Sequence, residues 1–224
     1  MKVARSTRLR RAAQPLRSRA TAKKSRIVAA AVRLFAEQGY HAARMGDLAA
    51  NLGIAKGSIF QHFGSKEGLF LEAYKAAVTS LPAYLDAPQE MLEQGFFATL
   101  RFWLQRTEHL VRDDWVPYRV CLVGNYEAGL GLKREINRFL AKEDPYGTIE
   151  FVRRGIERGE VRGDIDREVI VSMLDWTMEK FQDALVTEEL DPGLFRRSAD
   201  SPEKRLARID QFLELLRGAI GLRP

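Results

Sequence analysis

Cysteine is nearly missing from this sequence, which holds one, Cys121, among 224 residues. A lone cysteine excludes a disulfide framework and every cysteine-based metal cluster, and it suits a reducing compartment, where Cys121 in its apolar run reads as a buried, inert thiol. Histidine is almost as scarce, and His41, His62 and His109 stand too far apart to make a metal-ligand spacing. No run of about 18 apolar residues is present to span a bilayer. Residues 1–26 hold no apolar stretch of the kind that opens a secretory signal. Catalytic equipment is missing too: there is no nucleophile with a matching base, and Gly129 and Gly131 lack the Lys-Ser/Thr pair and preceding strand of a phosphate loop. These absences predict a soluble, cytoplasmic protein that is not an enzyme, needs no metal and no cofactor, and does not associate with membranes.

Acidic residues are missing from one place in particular. Residues 1–36 carry 11 of the 36 Lys and Arg and none of the 30 Asp and Glu, so residues 37–224 hold 25 basic against 30 acidic side chains. A basic arm on a mildly acidic body is the electrostatic footprint of a protein that binds phosphate backbones. A solvated tail and an organelle transit peptide share this composition, although the direct run of the arm into the helical pattern below argues against the second. Residues 1–22 are read as a basic, disordered arm. Some 20 residues reach at most about 65 Å when extended, enough to follow a duplex into a neighbouring groove.

What is there is helical nearly throughout, with 46% hydrophobic residues to fill a core and few β-branched alternations. Ile27, Ala31, Leu34 and Phe35 recur at helical spacing over 23–38 and stop at Gly39. Short helices follow over 47–52, stopped by Gly53, and over 56–62, stopped near Gly64; Ser65 can cap a longer one over 66–81. Beyond Pro88 the spacing predicts helices over 89–111, a broken segment over 115–125, and helices over 133–143, 146–158, 167–188 and 203–219. Asp144-Pro145 and Ser201-Pro202 read as N-caps followed by proline at the first helical position. The expected fold is all-α: a helix-turn-helix DNA-binding domain over 23–68, then a larger helical domain over 69–224 for ligand binding and dimerisation.

Three short helices with a glycine at the turn match a module that presents its last helix to the major groove. The residues Gly39-Tyr40, Gly46-Asp47-Leu48-Ala49, Gly53 through Phe63, and Ser65-Lys66-Glu67-Gly68-Leu69 strongly resemble the N-terminal signature of the TetR/AcrR family over about residues 24–72. The later Gly155-Ile156-Glu157-Arg158-Gly159 turn also looks like that family. The resemblance implies a homodimeric regulator, usually a repressor, released from a palindromic operator in double-stranded DNA when a small effector, hydrophobic or aromatic, enters its second domain. An effector-independent activator, or a regulator controlled by a partner protein, is the alternative. By this resemblance Lys56, Gly57, Ser58, Gln61 and His62 lie on the recognition helix, and Phe60 and Lys66 occupy positions used against phosphates. The chemistry agrees, since lysines bind phosphate oxygens, Gly57 allows close backbone approach, and Gln61 can pair with an adenine edge. Three positions depart from the family pattern. Phe60 lacks the usual tyrosine hydroxyl, Ala43 and then Arg44 stand where a threonine caps and binds phosphate, and Ala55 replaces a capping serine. Arg44 is left to supply charge at its position.

Aromatic residues concentrate in the second half, and a helical bundle builds ligand sites between helices from such side chains. Trp103, Tyr118, Tyr126 and Trp176 are the pocket candidates because they can both pack and donate hydrogen bonds, with Arg119, Asp175 and Glu179 able to fix a polar head group. Apolar stripes near the end are wider than one neighbour covers. Met173, Trp176, Phe181, Phe212, Leu213 and Leu216 are therefore candidates for a dimer interface, with ordinary core as the competing reading.

Overall fold

The computed structural model describes residues 4–113, 115–195 and 201–222, with side chains described from Ala20 onward apart from residues 84, 85, 108 and 110–113. Most side chains of the basic arm, and its first three residues, thus lie outside the described residues. In chain order the helices are α1 (Ala4–Ala42, interrupted at Gly39, whose backbone is not helical), α2 (Met45–Leu52), α3 (Lys56–Phe63), α4 (Lys66–Ser80), α5 (Pro82–Leu85), α6 (Gln89–Glu93), α7 (Phe96–Asp113), α8 (Trp115–Tyr126), α9 (Lys133–Glu143), α10 (Thr148–Glu157), α11 (Arg167–Val186) and α12 (Pro202–Ile220). Among the described residues no strand forms, and Val161 and Gly221 make an isolated antiparallel bridge. The fold is all-α, as the sequence predicts. No helix among the described residues is long and apolar enough to cross a membrane.

The chain divides into two compact units. The first comprises Met1–Thr79 with Val116–Arg138. Its core is the α1 stripe of Ile27, Ala31, Leu34 and Phe35, closed by Leu48, Ile59, Leu69 and Phe70, all buried. The Phe35 ring meets Phe70 edge-on at 5.0 Å between centroids, a favourable aromatic geometry. Gly53, left-handed at φ 63°, ends α2 by donating its N–H to the Ala49 and Ala50 carbonyls.

The second unit comprises Ser80–Trp115 with Phe139–Pro224. Here α7 packs on α11 and α12 around Phe96, Leu100, Leu104, Leu174, Ile209 and Leu213. The Phe181 ring stacks on Phe212 at 3.9 Å and meets Phe195 edge-on at 5.3 Å. The Arg162 N–H donates to the Ile220 carbonyl and the Leu222 N–H to that of Glu160, so the end of α12 is tied to the connector after α10.

Several boundaries differ from the sequence reading for local reasons. The helix expected over 89–111 is two: Gly95 takes φ 109°, and the Phe96 N–H that follows donates to the Glu160 carboxylate, beside which only a residue without a Cβ fits at position 95. The segment expected to be broken over 115–125 is the continuous α8, where Pro117 falls in the first turn and costs no hydrogen bond. Asp144 does not begin α10, which starts at Thr148 after left-handed Gly147. Its carboxylate still accepts the Thr148 and Ile149 N–H groups at 2.9 and 3.2 Å, while its own φ of 40° is a conformation that Asp tolerates better than most residues. Ser201 accepts from the Lys204 N–H and Pro202 opens α12, as expected.

Candidate nucleic-acid interface

Helix α3 is short, and backbone rather than side-chain caps hold it. Its N-cap residue Ala55 is extended and makes no side-chain cap, and Arg44 before α2 makes none either. A helix of eight residues is marginal by itself. Burial of Ile59, which is 0% exposed, anchors its inner face. Gly64, at φ 75° and ψ −53°, ends it, donating its N–H to the Phe60 carbonyl at 2.8 Å. The Ser65 hydroxyl then accepts the Gly68 N–H at 3.1 Å and caps α4.

The outer face of α3 carries the expected residues together. Lys56, Gly57 and Gln61 are exposed, with Ser58, Phe60 and His62 half-buried beside them. Gly57 and Gln61 are four residues apart and share one face. Nothing lies within 4 Å of where a Gly57 Cβ would stand, so nothing inside the protein requires glycine there. A glycine inside a helix costs about 1 kcal/mol relative to alanine, and the bare backbone that it leaves is open to another molecule. The Lys56 ammonium lies 5.9 Å from the Phe60 ring centre, which puts its charge beside the ring that lacks a hydroxyl.

Lys66 and Arg44 flank this face differently. Arg44 is exposed. Lys66 turns toward the corner between α1 and α2, where its Nζ donates to the His41 carbonyl at 3.1 Å and stands 4.7 Å over the Tyr40 ring. Burial pushes the Lys66 ammonium below its ordinary pKa, against the pull of Glu127 and Glu67. One of the three Lys66 donors is thus spent on the corner.

That corner is a polar knot built from distant parts of the chain. Gly39 takes φ 72° and ψ 179°, and the next two N–H groups, of Tyr40 and His41, donate to the two oxygens of Glu127 at 2.7 and 2.9 Å. The Tyr40 hydroxyl donates to Glu67 at 2.7 Å, and His41 Nε2 meets the Ala128 carbonyl at 2.7 Å. Burial first, and then the Glu67 carboxylate, hold the Tyr40 phenol above its ordinary range; the same hydrogen bond holds Glu67 below the usual carboxylate range. Sequence reasoning missed Glu127, since nothing local marks a residue whose partners lie 86 and 87 positions away.

The effector and interface candidates are spread out. Tyr118, buried, and Tyr126, 39% exposed, belong to the first unit. Trp103 and Trp176 belong to the second, where Trp103 packs against Phe151 at 4.7 Å and Trp176 is 69% exposed. An open groove of about 430 Å³ between α1 and α4, walled by Lys24, Val28, Ala29, Glu72, Lys75 and Thr79, includes none of the four. Of the polar candidates, Arg119 and Asp175 are exposed and Glu179 is half-buried. Phe181, Leu213 and Leu216 are buried in the core of the second unit, and Met173 and Phe212 pack partly against the same core. The large apolar side chains left uncovered on α11 and α12 are Val169, Trp176 and Leu215. Leu215, 76% exposed, sits on the rim of the stripe and was not singled out from the sequence. Among the described residues no group of three His, Cys, Asp or Glu could hold a metal ion.

Residues 27–73 match the family described as bacterial regulatory proteins, tetR family. Over 174 residues the chain is 30% identical to the HTH-type transcriptional repressor AcnR of Corynebacterium efficiens, covering 75% of this chain and 84% of that protein. It is 28% identical over 183 residues to AcnR of Corynebacterium glutamicum, covering 78% and 87%. A TetR transcriptional regulator of known structure from Chloroflexus aurantiacus shares the fold with a TM-score of 0.60 at 21% identity, over 92% of this chain and all of that one.

Proposed function

The chain belongs to the tetR family of bacterial regulatory proteins and is a DNA-binding transcriptional regulator rather than an enzyme; from that premise we propose that it is a homodimeric repressor, released from a palindromic operator by a small apolar effector. The observation that carries the DNA contact is the bare outer face of α3, where Lys56, exposed Gly57 and Gln61 stand on a helix whose inner side is pinned by Ile59. Lys56 and Arg44 contact phosphates as charges, Gln61 reads a base edge, and Ser58, Phe60 and His62 pack along the groove wall. Lys66 adds a phosphate contact with the donors that the His41 carbonyl leaves over.

Two recognition helices must reach successive major grooves about 34 Å apart, so the regulator works as a pair. The exposed apolar residues Val169, Trp176 and Leu215 supply the surface that a second copy covers. Trp176 suits that role better than a pocket wall, whereas Trp103, set against Phe151 beside the core of the second unit, suits the effector site. Tyr118 and Tyr126 lie in the first unit and are candidates for a site there. An effector that shifts α4, which carries the chain from α3 to Ser80, changes the spacing of the two recognition helices and releases the operator. The two AcnR relatives are both transcriptional repressors, which supports this sign of regulation.

Selection of duplexes from a random pool by the full-length protein tests the reading, with selection repeated in the presence of apolar metabolites. The expected product is a palindrome whose half-site centres lie about one helical turn apart, or a multiple of it. Failure to prefer any duplex, even at low ionic strength, overturns it.

A further inference from the structure

We infer that Glu127 is a positioning residue for DNA binding: its carboxylate, at the end of α8, grips the corner between α1 and α2 and so sets the attitude of the recognition helix. This rests on the reading of α3 as the element that enters the duplex.

The grip is two-pronged. One carboxylate oxygen takes the Tyr40 N–H at 2.7 Å and the other takes the His41 N–H at 2.9 Å. Hydrogen bonds to an ionised acceptor are the short, strong kind, and a carboxylate can serve two adjacent donors at once. Gly39 makes the pair possible, because its φ of 72° turns both donors toward Glu127. A Cβ on Gly39 would stand 3.2 Å from the Glu127 oxygen, tighter than ordinary contact. The neighbouring residues of Glu127 are held as well. The Ala128 carbonyl meets His41 Nε2, the Asn125 side chain accepts from the Tyr74 hydroxyl at 3.3 Å, and Gly124 lies flush on the Tyr74 ring, where a Cβ would stand 2.6 Å away.

The segment Gly124–Ala128 therefore touches the corner on one side and Tyr74 of α4 on the other. Those are the two supports between which α2, the turn at Gly53 and α3 are strung. The first turn of α4 joins the same knot, since Lys66 donates to the His41 carbonyl and Glu67 accepts from Tyr40. Releasing Glu127 frees two backbone donors and loosens one end of that span, without removing any side chain from the outer face of α3.

Charge and position predict opposite signs. Removing an acid makes the protein more positive, which on electrostatics alone tightens its hold on phosphates; loss of positioning weakens it. The experiment uses the full-length chain, the duplex that the wild-type protein recovers from a random pool, and a random-sequence duplex as reference. E127A, which gives up both hydrogen bonds, is expected to bind the recovered duplex about tenfold more weakly, with no weakening on the reference duplex. E127Q, whose amide oxygen still accepts one N–H, is expected to fall between. Amide exchange at Tyr40 and His41 is expected to quicken in E127A while helicity stays at the wild-type level. Wild-type or tighter affinity of E127A for the recovered duplex overturns the inference, as does equal loss on both duplexes. If E127A does not fold, E127Q carries the same comparison, and wild-type behaviour there overturns it. Failure of the wild-type protein to select any duplex sinks the reading of α3 instead; unchanged exchange at Tyr40 and His41 then rejects the grip independently.

Discussion

Gly68 passes so close to Phe63 that a Cβ on it would stand 2.1 Å from the Phe63 carbonyl oxygen. The contact ties the last residue of the recognition helix to the first turn of α4, and the obstacle is backbone, which cannot swing aside as a side chain can. Gly68→Ala is therefore expected to pry α3 from α4 and to destabilise the protein by about 1–3 kcal/mol, the usual cost of overpacking. Thermal melting of the variant against wild type checks this, and an unchanged midpoint would falsify it.

The two kinds of contact proposed for the outer face of α3 predict different failures. Lys56→Ala removes a phosphate contact, so affinity should fall alike on every duplex and the salt slope should drop by about one. Gln61→Ala removes a base contact, so the selected palindrome should lose its preference at one position per half-site, worth about 1–3 kcal/mol. Binding isotherms over a salt series, paired with repeated duplex selection, separate the two.

Phe60 offers the reverse test. It is half-buried beside Lys56 and has no hydroxyl. If its edge faces a phosphate, Phe60→Tyr adds a hydrogen bond to a charged acceptor and should tighten operator binding by about 1.5–3 kcal/mol before ordering costs. No gain, with folding intact, places this ring away from the backbone.

Acid should weaken the corner. Glu67 is held below the usual carboxylate range by the Tyr40 hydroxyl, so its contribution is present at neutral pH and is lost as pH falls through that lowered range. Tyr40→Phe removes the bond. Denaturant melts should then show the variant less stable than wild type near neutrality, with the gap closing toward about pH 3, below the ordinary carboxylate range. A gap that does not change with pH shows that the lost bond is not linked to ionisation of Glu67.

Trp176 and Leu215 are 69% and 76% exposed. If a second copy covers them, the double substitution Trp176→Glu with Leu215→Glu buries charge at the interface and should leave a monomer in sedimentation. Monomeric protein should also lose most operator affinity, because a single recognition helix reads half a site. A variant that still sediments as a dimer puts the interface elsewhere.

Much of this protein follows from neighbours in sequence. The stripe from Ile27 to Phe35, the left-handed glycine that ends α2, and the Ser65 and Ser201 caps are local patterns, because helical spacing and capping act over three or four residues. The short helix from Lys56 to Phe63, which carries the proposed DNA contacts, is legible for the same reason. Local pattern failed where a distant group intervened: Glu160 accepts the Phe96 N–H and splits the helix expected over 89–111 at Gly95. Burial of Phe181, Leu213 and Leu216 in the core of the second unit, with Leu215 exposed beside them, likewise depends on which helices pack together. The Glu127 grip lay beyond sequence reasoning altogether. A carboxylate finds its backbone donors only when the chain has brought residues more than eighty positions apart within 3 Å, and only the packing of the whole unit determines that distance.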